Sequence, residues 1–233
     1  MKLSIVIPTL NEEEFLPTLL SCLKHQTFKD FEVIVADAGS KDDTVNIAKS
    51  FGARIVKGGL PSVARNNGAK VANTPYILFL DADVSFKNDF IEKNLEEFVK
   101  RRLDAATTYV MPMSSRTFDK IIHRDYWNLL YFINQYFSPL AAGFCIFSTK
   151  KYFKERGGFD PTITLGEDHN FVMKAKWFRI LHGPKIKVNV RRLDKEGRLN
   201  FIMKMFYAFI YRTFLGEIRK NKIKYEFGEF KDS

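Results

Sequence analysis

Cysteine is nearly missing: Cys22 and Cys145 are the only two in 233 residues. They lie far apart and form no metal-ligand or redox spacing. This excludes a disulfide framework and a zinc ribbon and points to core thiols in a reducing compartment. The four histidines form no cluster. The opening, MKLSIVIPTLNEEE, passes straight into a short strand and an acidic turn. It has neither the long apolar segment nor the small-residue cleavage site of a signal peptide, so a cytoplasmic catalytic part is expected. No internal repeat or low-complexity tract interrupts the chain. With 45% apolar and 27% charged residues, wholesale disorder is excluded and one large folded domain is expected.

Charge of one sign is scarce in one region. Residues 174–224 hold 15 Lys/Arg against three acids, Asp194, Glu196 and Glu217, a net +12, whereas the whole chain carries +10. The basicity is therefore a carboxyl-terminal property. Such a patch suits nucleic acid, an anionic membrane, a phosphorylated substrate or simply a solvated surface. No helix-turn-helix, zinc or RNA-recognition motif accompanies it, so a basic nucleic-acid binder ranks last and no nucleic acid is expected as a partner.

Strand-like runs alternate with helical ones: LSIVI (3–7), FEVIVAD (31–37), ARIVKG (53–58), YILFL (76–80) and AATTYVM (105–111), separated by helical patterns over 42–51, 62–72 and 88–102. Asn11 and Glu14 have capping-box spacing, but Pro17 lies inside that pattern, so the helix either bends there or begins near Phe15. The alternation predicts right-handed crossovers and an α/β fold with a mainly parallel twisted sheet. Ligands then bind outside the carboxyl ends of the strands, where Thr9, Asn11, Glu12, Asp37, Asp81 and Asp83 fall. After residue 112 an aromatic-rich helix (118–137), a short strand (143–147) and an acidic-started helix (166–178) are expected. Three stretches are expected: 1–112 and 113–194 as the two halves of one domain, with a functional boundary near residue 112, and a carboxyl-terminal segment, 195–233.

Asp81 and Asp83 end the run YILFLDADV. Residues two apart in an extended chain point the same way, so the two negative charges crowd together and need a positive partner. Mg²⁺ or Mn²⁺ completed by a diphosphate meets that need; the bland alternative is that Asp81 caps a turn and Asp83 a helix near Lys87. Asp168 likewise suits either a helix N-cap or a general base. Arg65 suits either a phosphate fork or a surface ion pair.

In order, SIVIPTLNEEEFLPTLLSCL, VIVADAGSKDDT, ARNNGAKVANTPYILFLDADV and the later GED resemble the family 2 glycosyltransferases of GT-A fold, over about residues 2–175. The resemblance implies a Rossmann-like fold and an inverting transferase using a nucleotide-diphosphate sugar and a divalent cation. It implies further that Pro8, Thr9 and Glu12 line the nucleoside pocket and that Asp37 meets the base or ribose. Arg65 lies near the nucleotide, Asp83 is the direct metal ligand with Asp81 nearer the ribose, and Asp168 is the catalytic base. Glu167 steers the acceptor or faces solvent. The chain departs from the family at ADAGS, where two adjacent acids are common, so only Asp37 can serve there. The Q-x-x-R-W pattern of processive synthases is absent. The alternative enzyme, a sugar-phosphate nucleotidyltransferase, usually carries a glycine-rich basic loop after its first strand, and here that loop reads PTLNEEE.

LNFIMKMFYAFIYRTFL (199–215) is apolar almost all round, with a narrow stripe of Asn200, Lys204, Ala208, Arg212 and Gly216. Lys204 and Arg212 would each cost on the order of 2.5–3.5 kcal/mol near a bilayer centre, so spanning is disfavoured. The expectation is an amphipathic helix on an anionic membrane surface, with core burial or a homodimer contact as the alternatives. A lipid or lipid-linked acceptor and a peripheral position on the cytoplasmic membrane face follow from it. Arg191 and Arg192, in RRLDKEGRL, are candidates for the donor diphosphate or a lipid-linked phosphate.

Overall fold

The computed structural model describes residues 2–219. In chain order the elements are β1 (Leu3–Thr9), α1 (Leu16–Lys24), β2 (Phe31–Asp37), α2 (Thr44–Ser50), β3 (Arg54–Lys57), α3 (Pro61–Val71), β4 (Tyr76–Leu80), β5 (Val84–Ser85), α4 (Phe90–Lys100) and β6 (Ala105–Pro112). There follow α5 (Thr117–Lys120), a π-helical segment (Ile121–Trp127), α6 (Asn128–Asn134), β7 (Cys145–Thr149), α7 (Lys150–Arg156), β8 (Ile163–Leu165) and α8 (Glu167–Met173). The last elements are β9 (Phe178–Val188), α9 (Arg191–Glu196), α10 (Arg198–Leu215) and β10 (Ile218–Arg219).

Eight strands form one sheet in the order β3-β2-β1-β4-β7-β6-β9-β5, and β8 pairs with β10 separately. Every residue of β1 is buried, because helices cover both faces of the sheet; this is why the strand reads as continuous apolar sequence rather than an alternation. The α/β layering expected from sequence is present, but the sheet is mixed. β1, β2, β3 and β4 run parallel, as do β6 and β9. β7 is antiparallel to both β4 and β6, and β5 to β9.

This topology decides what reaches the site. The carboxyl ends of β1, β2 and β4 share one edge, and antiparallel β7 begins there, with Leu80 opposite Cys145. β6 and β9 also end at that edge, Pro112 opposite Val188. β5, directly after the aspartate pair, lies antiparallel to the end of β9, Val84 opposite Val188. The residues just beyond β9 therefore arrive above Asp83. Helix α3 seats closely on β1 because Gly68 carries no side chain; a Cβ there would lie 2.4 Å from Val6 Cγ1.

Several local expectations are corrected. No capping box forms at Asn11: α1 begins at Leu16 with Phe15 at its N-cap and Pro17 in the first turn, where a missing N–H is no loss. Asn11 instead takes φ +53°, and its Oδ1 accepts the Lys41 N–H. The helix expected to 178 ends at Met173, and Phe178 opens β9. The strand expected at 143–147 begins at Cys145, which leaves Gly143 in the loop. The helix at 118–137 is present as α5, the π-helical segment and α6. Asp83 caps no helix, since α4 starts at Phe90 behind Asp89.

Candidate functional site

Each aspartate of the pair has its own arginine. Arg65, 3% exposed on α3, donates from Nη2 to Asp81 Oδ1 (2.9 Å) and from Nη1 to Glu167 Oε1 (2.8 Å). Arg191, just past β9, donates from Nη2 to Glu12 Oε1 at 2.7 Å and holds its Nε 3.0 Å from Asp83 Oδ2. Its guanidinium lies over the Phe15 ring, 4.4 Å from the centroid. Arg65 is thus no surface residue: it ties the end of β4 to the start of α8. Burial alone would pull its guanidinium down, but Asp81, Glu167 and Asp168 hold it above the usual value.

Asp168 stands on the far side of Arg65. Its Oδ2 accepts the Gly143 N–H at 2.6 Å and its Oδ1 accepts the His169 N–H at 2.7 Å. The N-cap of α8 is Gly166, so Asp168 does not cap the helix. Burial pushes the Asp168 carboxyl up, opposed first by Arg65. Burial also raises Glu167, to which the Asp168 charge adds. Tyr131, buried on α6, feels the Asp168 charge and is pushed up, mainly by burial. Gly143 is essential to this packing: a Cβ there would sit 2.0 Å from Arg65 Nη2. Sequence reasoning missed Gly143, and missed that Phe15 backs Arg191.

Asp37 closes the other end of the carboxyl edge. Its Oδ1 accepts from Thr9 Oγ1 (3.1 Å) and from Ser40 Oγ, and its Oδ2 accepts the N–H groups of Gly39 and Ser40, both at 2.9 Å. Pro8, opposite Ala36 in the β1–β2 ladder, is buried under this turn. Arg192 sits 4.0 Å by its Nε from Glu196 Oε1 on its own helix, and its charge also pulls the Asp83 carboxyl down against burial.

Glu12, Asp81, Asp83, Glu167 and Asp168 crowd against Arg65 and Arg191, with Arg192 also acting on Asp83 and Arg212 on Asp168, so five carboxyl groups meet four guanidiniums. Burial lifts Glu12 to about 7, despite Arg191, with Asp83 and Asp81 adding to the rise. Burial, and next to it the Asp81 charge, raises Asp83 against the pull of Arg191. Glu12 Oε2 is buried without a hydrogen-bond partner. Excess carboxylate and an orphaned carboxylate oxygen fit a divalent cation, held by Asp83 with Asp81 beside it and completed by phosphate oxygens. Among the described residues no group of three or more His, Cys, Asp or Glu forms a ready-made cage, so such an ion would take the rest of its shell from substrate or water.

Residues 4–179 match the family model described as Glycosyl transferase family 2. Glycosyltransferase GlyA of Streptococcus pneumoniae serotype 4 is 28% identical over 207 residues, 85% of this chain and 27% of that protein. Validoxylamine A glucosyltransferase of Streptomyces hygroscopicus subsp. limoneus is 37% identical over 103 residues, 40% of this chain and 23% of that one. The chain thus spans about a quarter of the length of these curated relatives. Among solved structures, S. aureus TarS 1-349 in complex with UDP superposes with a TM-score of 0.65 at 19% identity, covering 88% of this chain and 66% of that one. The mannosyltransferase PcManGT from Pyrobaculum calidifontis, in complex with GDP-Man and Mn²⁺, gives 0.66 at 17% identity, covering 89% and 61%. At these identities the structures show a shared fold.

Proposed function

The chain belongs to glycosyl transferase family 2, and we propose that it moves a sugar, with inversion, from a nucleotide-diphosphate donor to a hydroxyl of a lipid or lipid-linked acceptor. The observation that carries this reading is Arg65, whose one guanidinium joins Asp81 at the donor edge to Glu167 beside Asp168. It ties the aspartate pair and the candidate base into one cluster. The nucleoside would lie along Pro8, Thr9, Glu12 and Asp37, which share the carboxyl edge of β1 and β2. Arg191, permanently charged and partly exposed, is the fork that can turn to the diphosphate, while buried Arg65 holds Asp81 in place.

When bound, a divalent cation at Asp83 would stabilise the charge that develops on the leaving diphosphate. Asp168 takes the proton of the acceptor hydroxyl as that oxygen attacks the anomeric carbon, and the bond from that carbon to the diphosphate oxygen breaks. Two backbone N–H groups fix its orientation, and burial makes it a better base than a solvated aspartate. Glu167, locked to Arg65, positions rather than reacts. We place the reaction at the cytoplasmic membrane face, supported by the basic carboxyl-terminal segment and by thiols that form no disulfide.

The test is a thermal-shift panel of UDP, GDP and their sugars with and without Mn²⁺, followed by turnover of Asp168→Asn. A donor that raises the melting temperature and a variant that binds it equally well but turns over ~10²-fold or more slowly support the reading. Normal turnover of Asp168→Asn overturns it. Pyrophosphate release from a sugar phosphate and a nucleoside triphosphate would favour the nucleotidyltransferase instead.

A further inference from the structure

Helix α10 is built inside out. The middle of its polar and small stripe faces the protein, while Asn200 and Gly216 at the ends are exposed: Ala208 is buried, Lys204 Nζ donates to Glu196 Oε2 at 3.1 Å and Arg212 Nε to Glu217 Oε2 at 3.0 Å. Outward stand Leu199, Met203, Phe206, Tyr207, Phe209 and Phe214, each more than half exposed. A helix facing water presents the opposite arrangement. Spending the charges inward and the aromatics outward leaves a face that only an apolar medium covers.

The ends of α10 fix where that face lies. At its start Arg198 donates from Nε and Nη2 to the buried carboxylate of Asp119 on α5, at 2.7 and 2.9 Å. Near its end the Arg212 guanidinium lies against Gly166, where a Cβ would come within 2.5 Å of Nη1. Gly166 precedes Glu167 and Asp168. The helix therefore runs as a bar from α5 to the start of α8, which carries the candidate base. On α6, Leu129, Phe132 and Ile133 are also exposed, and just beyond it Lys176 and Arg179 border a cavity of about 300 Å³.

We propose that the outward face of α10 seats in an anionic lipid surface, lying in its plane and holding the acceptor side of Asp168 at the headgroup level. This deepens the lipid-acceptor reading above and rests on it for the acceptor alone. Charge selects the occupant. The sequence of 174–224 carries a net +12; Arg198, Lys204 and Arg212 are paired within the chain, but Lys176 and Arg179 stand beside the residues that follow exposed α6, where acidic headgroups complement them and a second copy would bring like charge to like. Eighteen residues extend about 27 Å. Among the described residues no helix is long and apolar enough to cross a membrane, so α10 lies along the surface.

The experiment is flotation of the full chain with vesicles of phosphatidylcholine, alone or with added phosphatidylglycerol. The protein is expected to float with the anionic vesicles and to be released by salt. The triple variant Phe206→Ser, Phe209→Ser, Phe214→Ser is expected to partition about tenfold or more weakly, with an unchanged melting temperature and unchanged turnover of a water-soluble acceptor. Equal flotation of the variant, or no flotation of the wild-type protein, overturns the proposal. So does a wild-type dimer that the triple variant converts to monomers without any vesicle binding, which assigns the face to a second copy. Vesicle binding and transfer are read separately, so losing this surface leaves the transferase reading standing, and the reverse.

Discussion

Arg191 Nε lies 3.0 Å from Asp83 Oδ2, on the aspartate best placed to hold a divalent ion. A divalent ion at Asp83 would therefore compete with the guanidinium for one carboxylate, and a diphosphate would offer Arg191 an alternative partner. The positive counterpart that two crowded aspartates demand is present twice in the protein itself, as Arg65 and Arg191.

Removing the competitor should be visible without any substrate. Arg191→Ala is expected to bind Mn²⁺ alone about tenfold more tightly, a modest share of the coulombic repulsion between two like charges at contact, while the KM for the donor rises. Isothermal titration with Mn²⁺ reads the first effect and steady-state kinetics the second. Unaltered Mn²⁺ affinity would show that Arg191 does not occupy the ion's place.

Glu12 gives the fold a pH dependence. Its carboxyl sits at about 7 in the folded protein against 4.5 ordinarily, chiefly through burial, so the folded state holds a proton that the unfolded state releases. Its contribution is fully present below about pH 4.5 and declines as pH rises to about 7, by on the order of 2 kcal/mol. Glu12→Gln should flatten that decline, gaining melting temperature over wild type at pH 8 relative to pH 5. Parallel curves for the two proteins would refute it.

Gly143→Ala should act through Arg65. The new methyl would stand 2.0 Å from Nη2, so the guanidinium must leave Asp81 or Glu167, costing about 1–3 kcal/mol of stability as overpacking does together with turnover. Because one contact is responsible, Gly143→Ala combined with Arg65→Ala should be no less stable than Arg65→Ala alone. Additive losses in differential scanning fluorimetry would refute this coupling.

The acid limb of turnover reports Asp168. Burial raises its carboxyl and Arg65 is the leading group that opposes the rise, and only the ionised form accepts a proton. Activity is therefore expected to fall at a pH above the ordinary aspartate range, and Arg65→Gln to move that limb higher still. A kcat–pH profile of both proteins decides; a limb unmoved by Arg65→Gln rejects Asp168 as the titrating base.

Much of the donor edge was legible. β1, β2, β3 and β4 announce themselves as apolar runs between turns, and reading their carboxyl ends gathered Thr9, Glu12, Asp37, Asp81 and Asp83, which do lie at one edge of the sheet. β9 was not legible. FRILHGPKIKV carries Gly183-Pro184 at its centre, which reads as a turn, yet the strand continues because its partner β6 absorbs the irregularity between Thr108 and Val110. The helix expected to reach 178 failed for the related reason that Phe178 is claimed by pairing with Ala105. The Arg65–Glu167 and Arg191–Glu12 contacts join residues more than a hundred positions apart and follow from strand order, which no local pattern encodes. Gly143 left no mark beyond being a glycine before a buried strand.

The bridge made by Arg65 renders the chain indivisible. A fragment that stops before Glu167 keeps a buried guanidinium whose remaining carboxylate partner is Asp81, and the complementary fragment keeps Glu167 without the arginine that pairs it. Neither piece is then a usable module to graft onto another scaffold: the two ends of the Arg65 bridge are inherited together, and circular permutation rather than bisection is the way to relocate the termini.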